Sequence, residues 1–548
     1  DAVGETLTMA RKPPEAAATA PELPPDALTT FTNLLFAHVA AEDIASYDTA
    51  DLTRFARGAY EHLAVPRLPR ATRVRLRDDA VERAGVRREL TIIEVVNDNM
   101  PFLLDSTLAE LTDQGIEPNL VAHPIVAVAR SADGALGRMA GDASARAPEG
   151  TLRESLIHIH IDWLPDTATR ERLCAGLERV YADVRVAVDD WSLMRMRLGS
   201  AMQAYRNNPP PLPDDELAEA MRFLDWISAD NFTFLGMREY SFAEADASPD
   251  EVGGTGLGIL RDPKVMVLRR GRDLVSTTPE IRAFLNRPQA LIITKANVKS
   301  RVHRRVHLDY VGVKLFTPDG RLAGELRIVG LLTSSAYTGT AASVPYLRLK
   351  VAQVARLAGF DQASYSGRSL MNVLDSYPRD ELFQISVETL HRFALEILLL
   401  TERPRIRALA RIDEFDRFVS VLVYIPKDRY DTAVRRRVGE FLARVFAGRV
   451  SAAYPTYPEG PLARTHFIIG RDGGETPRVD RATLETGINA IVRTWADGLK
   501  DALAMARGSL RARHSAERYA DAFGAAYREA FSAAQAIEDI AILDTLSD

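Results

Sequence analysis

Two histidines stand two residues apart in the segment from Ser155 to Trp163, where polar and apolar residues alternate. In a β-strand this spacing places His158, His160 and Asp162 on one face. Together with His123 they could bind a metal ion, because imidazole and carboxylate groups are common ligands. The alternative is a pair of half-buried histidines on a sheet face. We favour this structural interpretation, so no metal site is predicted.

Short polar side chains also fill the turn between a predicted strand at 89–96 and a predicted helix at 102–114. The first backbone N–H groups of a helix are free and favour a carboxylate. We therefore predict that this turn receives a small ligand, such as an amino acid, or a neighbouring module. The candidate ligand-binding residues are Asn97, Asp98, Asn99 and Phe102. The alternative is that they only cap the helix.

The strongest cluster of basic residues runs from Lys295 to His307 and could contact phosphates or an acidic partner. Aromatic residues for stacking on single-stranded nucleic acid are missing before Tyr310. We favour a solvated strand and loop. The stretch Gly253–Gly258 has the wrong order of glycines for a dinucleotide-binding turn and precedes a predicted strand. It is interpreted as a flexible loop, and no nucleotide-binding or catalytic motif is recognised elsewhere.

The composition bounds the class of protein. A chain of 548 residues has room for about three to five domains. With 46% hydrophobic and 26% charged residues it is not wholly disordered, and its net charge of −6 argues against nucleic acid or an anionic membrane as partner. The single cysteine, Cys174, excludes an intramolecular disulfide and favours the cytoplasm. No apolar run approaches the roughly 20 residues of a transmembrane helix.

Hydrophobic periodicity predicts an α+β multidomain chain. Segment 89–200 shows the order β-α-β-β-α-β, with a last strand at Val184–Val188, and this is the ferredoxin-like arrangement. Segment 405–505 repeats the order. Segment 215–360 consists mostly of strands, with a hairpin turn at Thr317–Gly320, and predicts an antiparallel sheet. The remaining predicted segments are a flexible tail at 1–25, a helical unit at 26–70, a helical connector at 361–404 and a helical segment at 506–548.

Several blocks resemble the N-terminal region of the large bacterial NAD-specific glutamate dehydrogenases. They occur in the family's order and include Val96–Ser106, His123–Ile125, Glu154–His160, Asp230–Gly236, Gly330–Tyr337 and Pro378–Gln384. The resemblance implies ACT-like modules at 89–200 and 405–505 and a PAS-like antiparallel domain at 215–360. It also implies that the chain is the regulatory and oligomerisation portion of a longer enzyme, with the catalytic domain in a missing C-terminal part.

By the same resemblance, the full-length enzyme deaminates L-glutamate to 2-oxoglutarate and ammonium while reducing NAD. It forms a homo-oligomer, expected to be a tetramer, and an amino acid is its expected effector. No catalytic or cofactor-binding residue is assigned in this chain, which is expected to bind no NAD, nucleic acid or membrane. Two alternatives remain open: a stand-alone amino-acid-sensing ACT/PAS-type protein, and a phosphate or nucleic-acid binder acting through Lys295–His307.

Overall fold

In a computed structural model, the described part of the chain folds as an α+β protein with three β-sheets. The structure describes residues 24–83, 85–242, 250–265, 267, 289–471, 473–507, 518–519 and 522–546. Within these ranges every strand pair is antiparallel. No helix in the described ranges has both the length and the apolar character needed to cross a membrane.

The first sheet carries helices on both faces. Its strands follow the order β1-β2-β6-β4-β5, with β3 paired to β6. The strands are β1 (Arg73–Arg83), β2 (Val86–Asp98), β3 (Pro118–Ala122), β4 (Ile125–Arg130), β5 (Leu136–Asp142) and β6 (Leu152–Asp162). The helices are α1 (Pro25–Phe36), α2 (Ala41–Ile44), α3 (Thr49–Ala64), α4 (Leu103–Asp113) and α5 (Thr167–Asp189).

Strand β2 shows why this sheet needs two helical layers. Ile93 and Val95 pack in the core that contains α4 and α5, whereas Ile92 and Val96 pack in the core that contains α1 and α3. Successive side chains of a strand point to opposite faces, so a continuous apolar run must be covered on both sides. The helices predicted at 26–70 therefore cover the far face of this sheet.

The predicted order β-α-β-β-α-β is wrong in its last strand and in its number of strands, because the sheet has six strands. Val184–Val188 is the last part of helix α5, because Val180, Val184 and Ala187 recur at helical spacing and are all buried. The edge position beside β2 is taken by β1, which precedes it in the chain. The observed order is ββαββββα, in which β3 and β4 both pair with β6 and β5 pairs with β4.

The middle of the chain forms the second sheet. Its order is β10-β11-β12-β7-β8, and β9 pairs with β7. The predicted hairpin turn at Thr317–Gly320 is confirmed, with Gly320 at a φ of 81°. The predicted strand at Lys264–Arg270 lies largely outside the described residues. The strands are β7 (Phe232–Ser241), β8 (Asp250–Glu251), β9 (Leu257–Gly258), β10 (Leu291–Lys299), β11 (His307–Phe316) and β12 (Leu322–Leu332).

Helices cover both faces of this second sheet. On one face, Ile292, Tyr310 and Val329 share a core with α4 and α5 of the first module. On the other face, Val311 and Val313 share a core with the helices α6 (Trp191–Asn207), α7 (Asp214–Trp226), α8 (Ser334–Thr338), α9 (Leu347–Ala358), α10 (Tyr365–Ser376), α11 (Arg379–Gln384) and α12 (Val387–Glu402). The sequence pattern predicts one helix at 378–400, but the structure has two, and Ser386 caps the second by accepting from the Thr389 N–H.

The third sheet has four strands, in an order that matches β1-β2-β6-β4 of the first sheet. Its order is β13-β14-β16-β15, and the edge strand β13 again precedes the strand that it pairs with. One face packs on α13 and α14, and Leu409, Leu422 and Tyr424 on the other face join the core of the connecting helices. The elements are β13 (Arg407–Ile412), β14 (Phe418–Pro426), α13 (Thr432–Val445), β15 (Arg449–Thr456), β16 (Leu462–Gly470) and α14 (Arg481–Val492).

A small helical cluster follows. The sequence pattern predicts one helix at 481–505, but the structure divides it into α14 and α15 (Trp495–Arg507). Helices α16 (Ala525–Ala530) and α17 (Ala533–Leu546) come after them. The aromatic residues Tyr519, Phe523, Tyr527 and Phe531 are spaced four apart, which predicts an aromatic stripe that serves as a packing surface. In the structure the rings of Phe523 and Tyr527 lie 4.5 Å apart and those of Tyr527 and Phe531 4.7 Å apart.

Candidate functional site

The side chains of the predicted turn site point into an arginine-rich network. Asp98 accepts hydrogen bonds from Nη2 of Arg67 at 2.7 Å and from Nη1 of Arg185 at 3.0 Å. Asn97 is buried and accepts from Arg185 through Oδ1. Burial alone would raise the pKa of Asp98, but the hydrogen bonds and charges of Arg67 and Arg185 outweigh it and lower the pKa. These groups are engaged within the protein.

The alternative that the turn caps helix α4 is wrong. The residue at the capping position is Phe102, which has a left-handed φ of 71° and contributes no side-chain hydrogen bond. Asn99 uses its backbone N–H for the carbonyl of Arg153. The role of the turn in ligand binding stays a prediction.

The turn adjoins the loop 300–306 of the second sheet. The ring of Phe102 lies 5.3 Å from that of His303. The His303 N–H donates to Oγ of Ser106 at 2.8 Å, and its Nδ1 lies 2.9 Å from the carboxylate of Asp105. The first two turns of α4 thus hold this loop through both ring contact and hydrogen bonds.

The interpretation of the basic cluster as a solvated strand and loop is wrong for its loop. Arg301 pairs with Asp183 of α5 at 2.6 Å. Arg305 pairs with Glu110 of α4, and its Nε lies 3.5 Å from Asp113. Because these carboxylates belong to the first module, the loop cations join that module to the second sheet.

The other side of the same loop borders a cavity of about 350 Å³. The cavity lies where the second sheet, helix α11 and the open face of the third sheet meet. Six arginines and one lysine line it, against two carboxylates, which gives the wall an excess of positive charge. The polar residues of the wall include Arg304, His307, Arg379, Asp380, Arg464 and His466.

Internal partners neutralise the two carboxylates of the wall. Asp380 accepts from the hydroxyl of Tyr337 at 2.8 Å and lies 3.2 Å from Nζ of Lys295. Glu381 is paired with Arg411, whose Nη2 donates at 2.9 Å. Burial would raise the pKa of Glu381, but the charge of Arg411 outweighs it and lowers the pKa.

Both histidines of the wall are held neutral near pH 7. Burial, followed by the charges of Lys299 and Lys295, lowers the pKa of His307 to about 4. Burial also lowers the pKa of His466, whose Nε2 lies 2.8 Å from the hydroxyl of Ser420. The positive charge of the cavity therefore comes from its arginines, because Lys295 is shared between Asp309 at 2.7 Å and Asp380 at 3.2 Å.

Arg379 is a buried cation of the wall with hydrogen-bond donors that no described residue satisfies. Its exposed fraction is 5%, and Nη2 donates to the carbonyl of Gly339 at 2.6 Å. Within the described part of the chain, Nε and Nη1 have no hydrogen-bond partner. Burial lowers its pKa. A buried guanidinium with two unused donors is costly unless another group satisfies them.

The histidines of the first sheet belong to a buried network. Nε2 of His158 and Nε2 of His160 lie 2.8 Å apart, and Nδ1 of His160 lies 3.0 Å from the Tyr47 hydroxyl. Nδ1 of His158 lies 3.3 Å from Glu94, close enough for electrostatic attraction but without hydrogen-bond geometry. The described residues contain no group of three or more His, Cys, Asp or Glu side chains that could hold a metal ion.

The other two residues of that candidate metal set lie elsewhere. The side chain of Asp162 is 79% exposed and pairs with Arg88. Nε2 of His123 lies 2.6 Å from Oγ of Ser155. At the glycine-rich loop, the Gly258 N–H donates to the carboxylate of Asp190 at 2.7 Å, so this donor is already used.

Neither the cavity nor Arg379 was predicted from the sequence. One signal was present, because Arg379 and Asp380 lie in a block that carries the family resemblance. The alternation of Arg464, His466 and Ile468 on β16 was a second signal, since it places polar side chains on the sheet face away from α13 and α14.

Four family models match separate parts of the chain. They are described as glutamate dehydrogenase ACT1 domain (residues 31–177), helical motif 1 (344–403), ACT2 domain (407–496) and helical motif 2 (502–546). The first match includes most of the helices that cover the far face of the first sheet. The second and fourth matches fall on the connecting helices and on the C-terminal helical cluster.

Curated relatives match nearly the whole chain. The NAD-specific glutamate dehydrogenase of Halomonas elongata is 33% identical over 95% of this chain, and that of Pseudomonas aeruginosa is 30% identical over 95%. That of Mycobacterium tuberculosis is 29% identical over 83%. The chain spans 32% of the length of the first two relatives and 28% of the third.

Proposed function

The chain belongs to the family of the NAD-specific glutamate dehydrogenases, and we propose that it is the N-terminal regulatory and oligomerisation portion of such an enzyme. The full-length protein would deaminate L-glutamate to 2-oxoglutarate and ammonium and reduce NAD. The matches to ACT and helical-motif models support a regulatory role. The antiparallel pairing throughout the described sheets supports it as well, because dinucleotide-binding folds use a mostly parallel sheet.

The observation that carries the proposal is the repeated module. Two ACT-like units, of order ββαββββα before the antiparallel domain and ββαββα after it, both pack on that domain through buried apolar residues. The two cores lie on opposite faces of the second sheet, so this sheet is the element through which a conformational change at one unit can reach the other. We propose that the middle domain is PAS-like and that the first ACT-like module extends back to α1, since α1–α3 complete its core.

The turn of Asn97, Asp98, Asn99 and Phe102 is proposed to act in communication between modules. The contact between Phe102 and His303 supports this, since it joins the turn to the loop that also borders the cavity. An amino acid is the effector proposed for this turn, and it would have to displace Arg67 or Arg185 from Asp98.

The oligomeric part of the proposal is a homo-oligomer, with a tetramer expected in the full-length enzyme. Exposed apolar side chains on α6 support self-association, since Trp191 is 41% exposed and Met196 64% exposed. Sedimentation of the purified chain tests it, and a species larger than one chain is expected. A monomer at all concentrations would mean that the subunit contacts are made by other parts of the enzyme.

The cellular location that we propose is the cytoplasm, on the basis of the single cysteine.

Calorimetric titration with NAD tests the regulatory assignment. We expect no heat of binding from the purified 548-residue chain and no NADH formed from glutamate.

A stand-alone amino-acid sensor is the second candidate function. The turn at 97–102 gives it no separate support, because Asn97 and Asp98 are hydrogen-bonded within the protein. A nucleic-acid binder is disfavoured because Arg301 and Arg305 are used within the protein.

A further inference from the structure

We propose that the cavity between the second and third sheets is a binding site for a small anion that carries a carboxylate or phosphate group, with Arg379 as its main contact. The inference depends on the proposed function only for the regulatory consequence of binding. Binding itself is a property of this chain and is tested on it.

The first argument is the state of Arg379. Its side chain is nearly fully buried, yet Nε and Nη1 lack a partner in the described structure, and only Nη2 is used, by a backbone carbonyl. Removing a guanidinium from water without satisfying its N–H groups is unfavourable. An oxyanion in the cavity would satisfy these donors through charge-assisted hydrogen bonds, the strongest kind available to arginine.

A second arginine has the same property. Nη2 of Arg304 donates to the carbonyl of Leu332 at 2.6 Å, while its Nε is buried and has no partner within the described ranges. Arg304 comes from the loop 300–306 and Arg379 from α11. An anion bound between these two elements and the third sheet would therefore connect three parts of the chain.

The remaining polar groups of the wall decide which anions fit. Arg417 is fully committed to Asp413, Thr294 and the Lys295 carbonyl, and Arg464 donates to Thr456 and the Ser376 carbonyl. These two shape the field of the cavity while their N–H groups stay in place. Within the described residues, Arg379 and Arg304 are the wall arginines with buried N–H groups that have no partner.

The wall is poorly suited to an ammonium group. Its two carboxylates, Asp380 and Glu381, are already paired with Lys295 and Arg411. Both cavity histidines are neutral, with Lys299, Lys295 and arginines around His307 and both carboxylates and arginines around His466. An amino-acid zwitterion would therefore place its ammonium among positive charges, so we infer that the ligand is an anion that lacks an amine.

The volume of about 350 Å³ admits a small metabolite and excludes a polymer segment. Two sources of the same chemistry fit, a small dicarboxylate and a phosphate compound. Succinate and inorganic phosphate are probes for these two sources. L-Aspartate differs from succinate by one ammonium group and tests the exclusion of an amine.

The test is calorimetric titration of the purified 548-residue chain with succinate, inorganic phosphate and L-aspartate. Saturable binding of succinate or phosphate is expected, with L-aspartate weaker than succinate. In the variant Arg379→Gln the affinity should fall about tenfold or more, the size of one charge-assisted hydrogen bond. The control Arg436→Gln removes an exposed arginine of α13 and should change the affinity less than about twofold.

The probe that binds more tightly identifies the source of the ligand. If Arg379→Gln does not fold, Arg304→Gln replaces it, with the same expected loss of affinity. The proposal is overturned if the wild-type chain binds neither probe, or if both variants fold and bind like wild type. It is also overturned if L-aspartate binds as tightly as succinate. None of these results bears on glutamate-dependent NADH formation by the longer protein, so the two proposals fail separately.

Discussion

Arg304 and Arg305 are adjacent in the chain, but their side chains serve two different interfaces. Arg305 pairs with Glu110 of the first module, whereas Arg304 borders the cavity shared with the third sheet. The loop that carries them is held at His303 by Asp105 and Ser106. A ligand that moves Arg304 would therefore also act on the contact made by Arg305, which gives the two modules a physical route for coupling.

Removal of the Arg305 side chain should loosen the first module from the second sheet. In Arg305→Gln the side chain of Glu110, which is 7% exposed, loses its charged partner. A buried charge without its partner costs several kcal/mol, and we expect about 3 kcal/mol here. Urea denaturation measures the loss, and hydrogen exchange should increase at residues 103–113 and 300–306.

The control for this variant is Arg88→Gln, which breaks an exposed pair with Asp162. It should change the free energy of unfolding by less than about 1 kcal/mol. Equal destabilisation by the two variants would show that the pair of Arg305 and Glu110 is not an anchor.

The Asp98→Ala variant separates stability from effector binding. It removes an acceptor from Arg67, whose side chain is 1% exposed and keeps only Glu154 as a charged partner. We expect the free energy of unfolding to fall by about 1–3 kcal/mol. The longer enzyme carrying this variant is then assayed with and without candidate amino acids: an unchanged response makes the turn purely structural, and a lost response assigns it to regulation.

His62 should make the first module sensitive to mild acid. Burial is the main cause that lowers its pKa to about 4, against about 6.5 in the unfolded chain. Below pH 6.5 the unfolded state binds a proton that the folded state rejects, so the free energy of unfolding decreases until about pH 4. His62→Gln lacks this contribution. As the pH falls from about 6.5 to about 4, the free energy of unfolding of the variant should therefore rise relative to that of wild type by up to about 3 kcal/mol.

Thermal or urea unfolding between pH 7.5 and 4 follows this difference. The control is His38→Gln, which alters an exposed histidine near the same helices. If the difference between His62→Gln and wild type does not depend on pH, the imidazole is not buried in its neutral form.

Local patterns in the sequence were enough for much of the fold. The run at 89–96, the hairpin turn at Thr317–Gly320 and the aromatic stripe were each predicted from periodicity or turn chemistry. Strand β1 was missed because Arg75 and Arg77 point inward to Glu94, so charged residues occupy the face where apolar residues are expected. The strand predicted at 184–188 failed because β-branched residues also fit a buried helix face.

The candidate site could not be predicted in the same way. Its wall combines the loop 300–306, helix α11 and strand β16, which are far apart in sequence and meet only through packing of the third sheet on the connecting helices. The basic cluster was noticed, but sequence alone does not show that Arg305 finds Glu110 while Arg304 faces the cavity. Partners in tertiary structure decide the role of each charge.

The most direct measurement of the central claim is glutamate-dependent NADH formation by two proteins: the purified 548-residue chain, and a longer protein with the length of the family relatives. We expect no NADH from the 548-residue chain. We expect the longer protein to form NADH from glutamate, with an effector response that changes when the regulatory portion is altered by Arg305→Gln. NADH formation by the 548-residue chain alone would contradict the regulatory assignment.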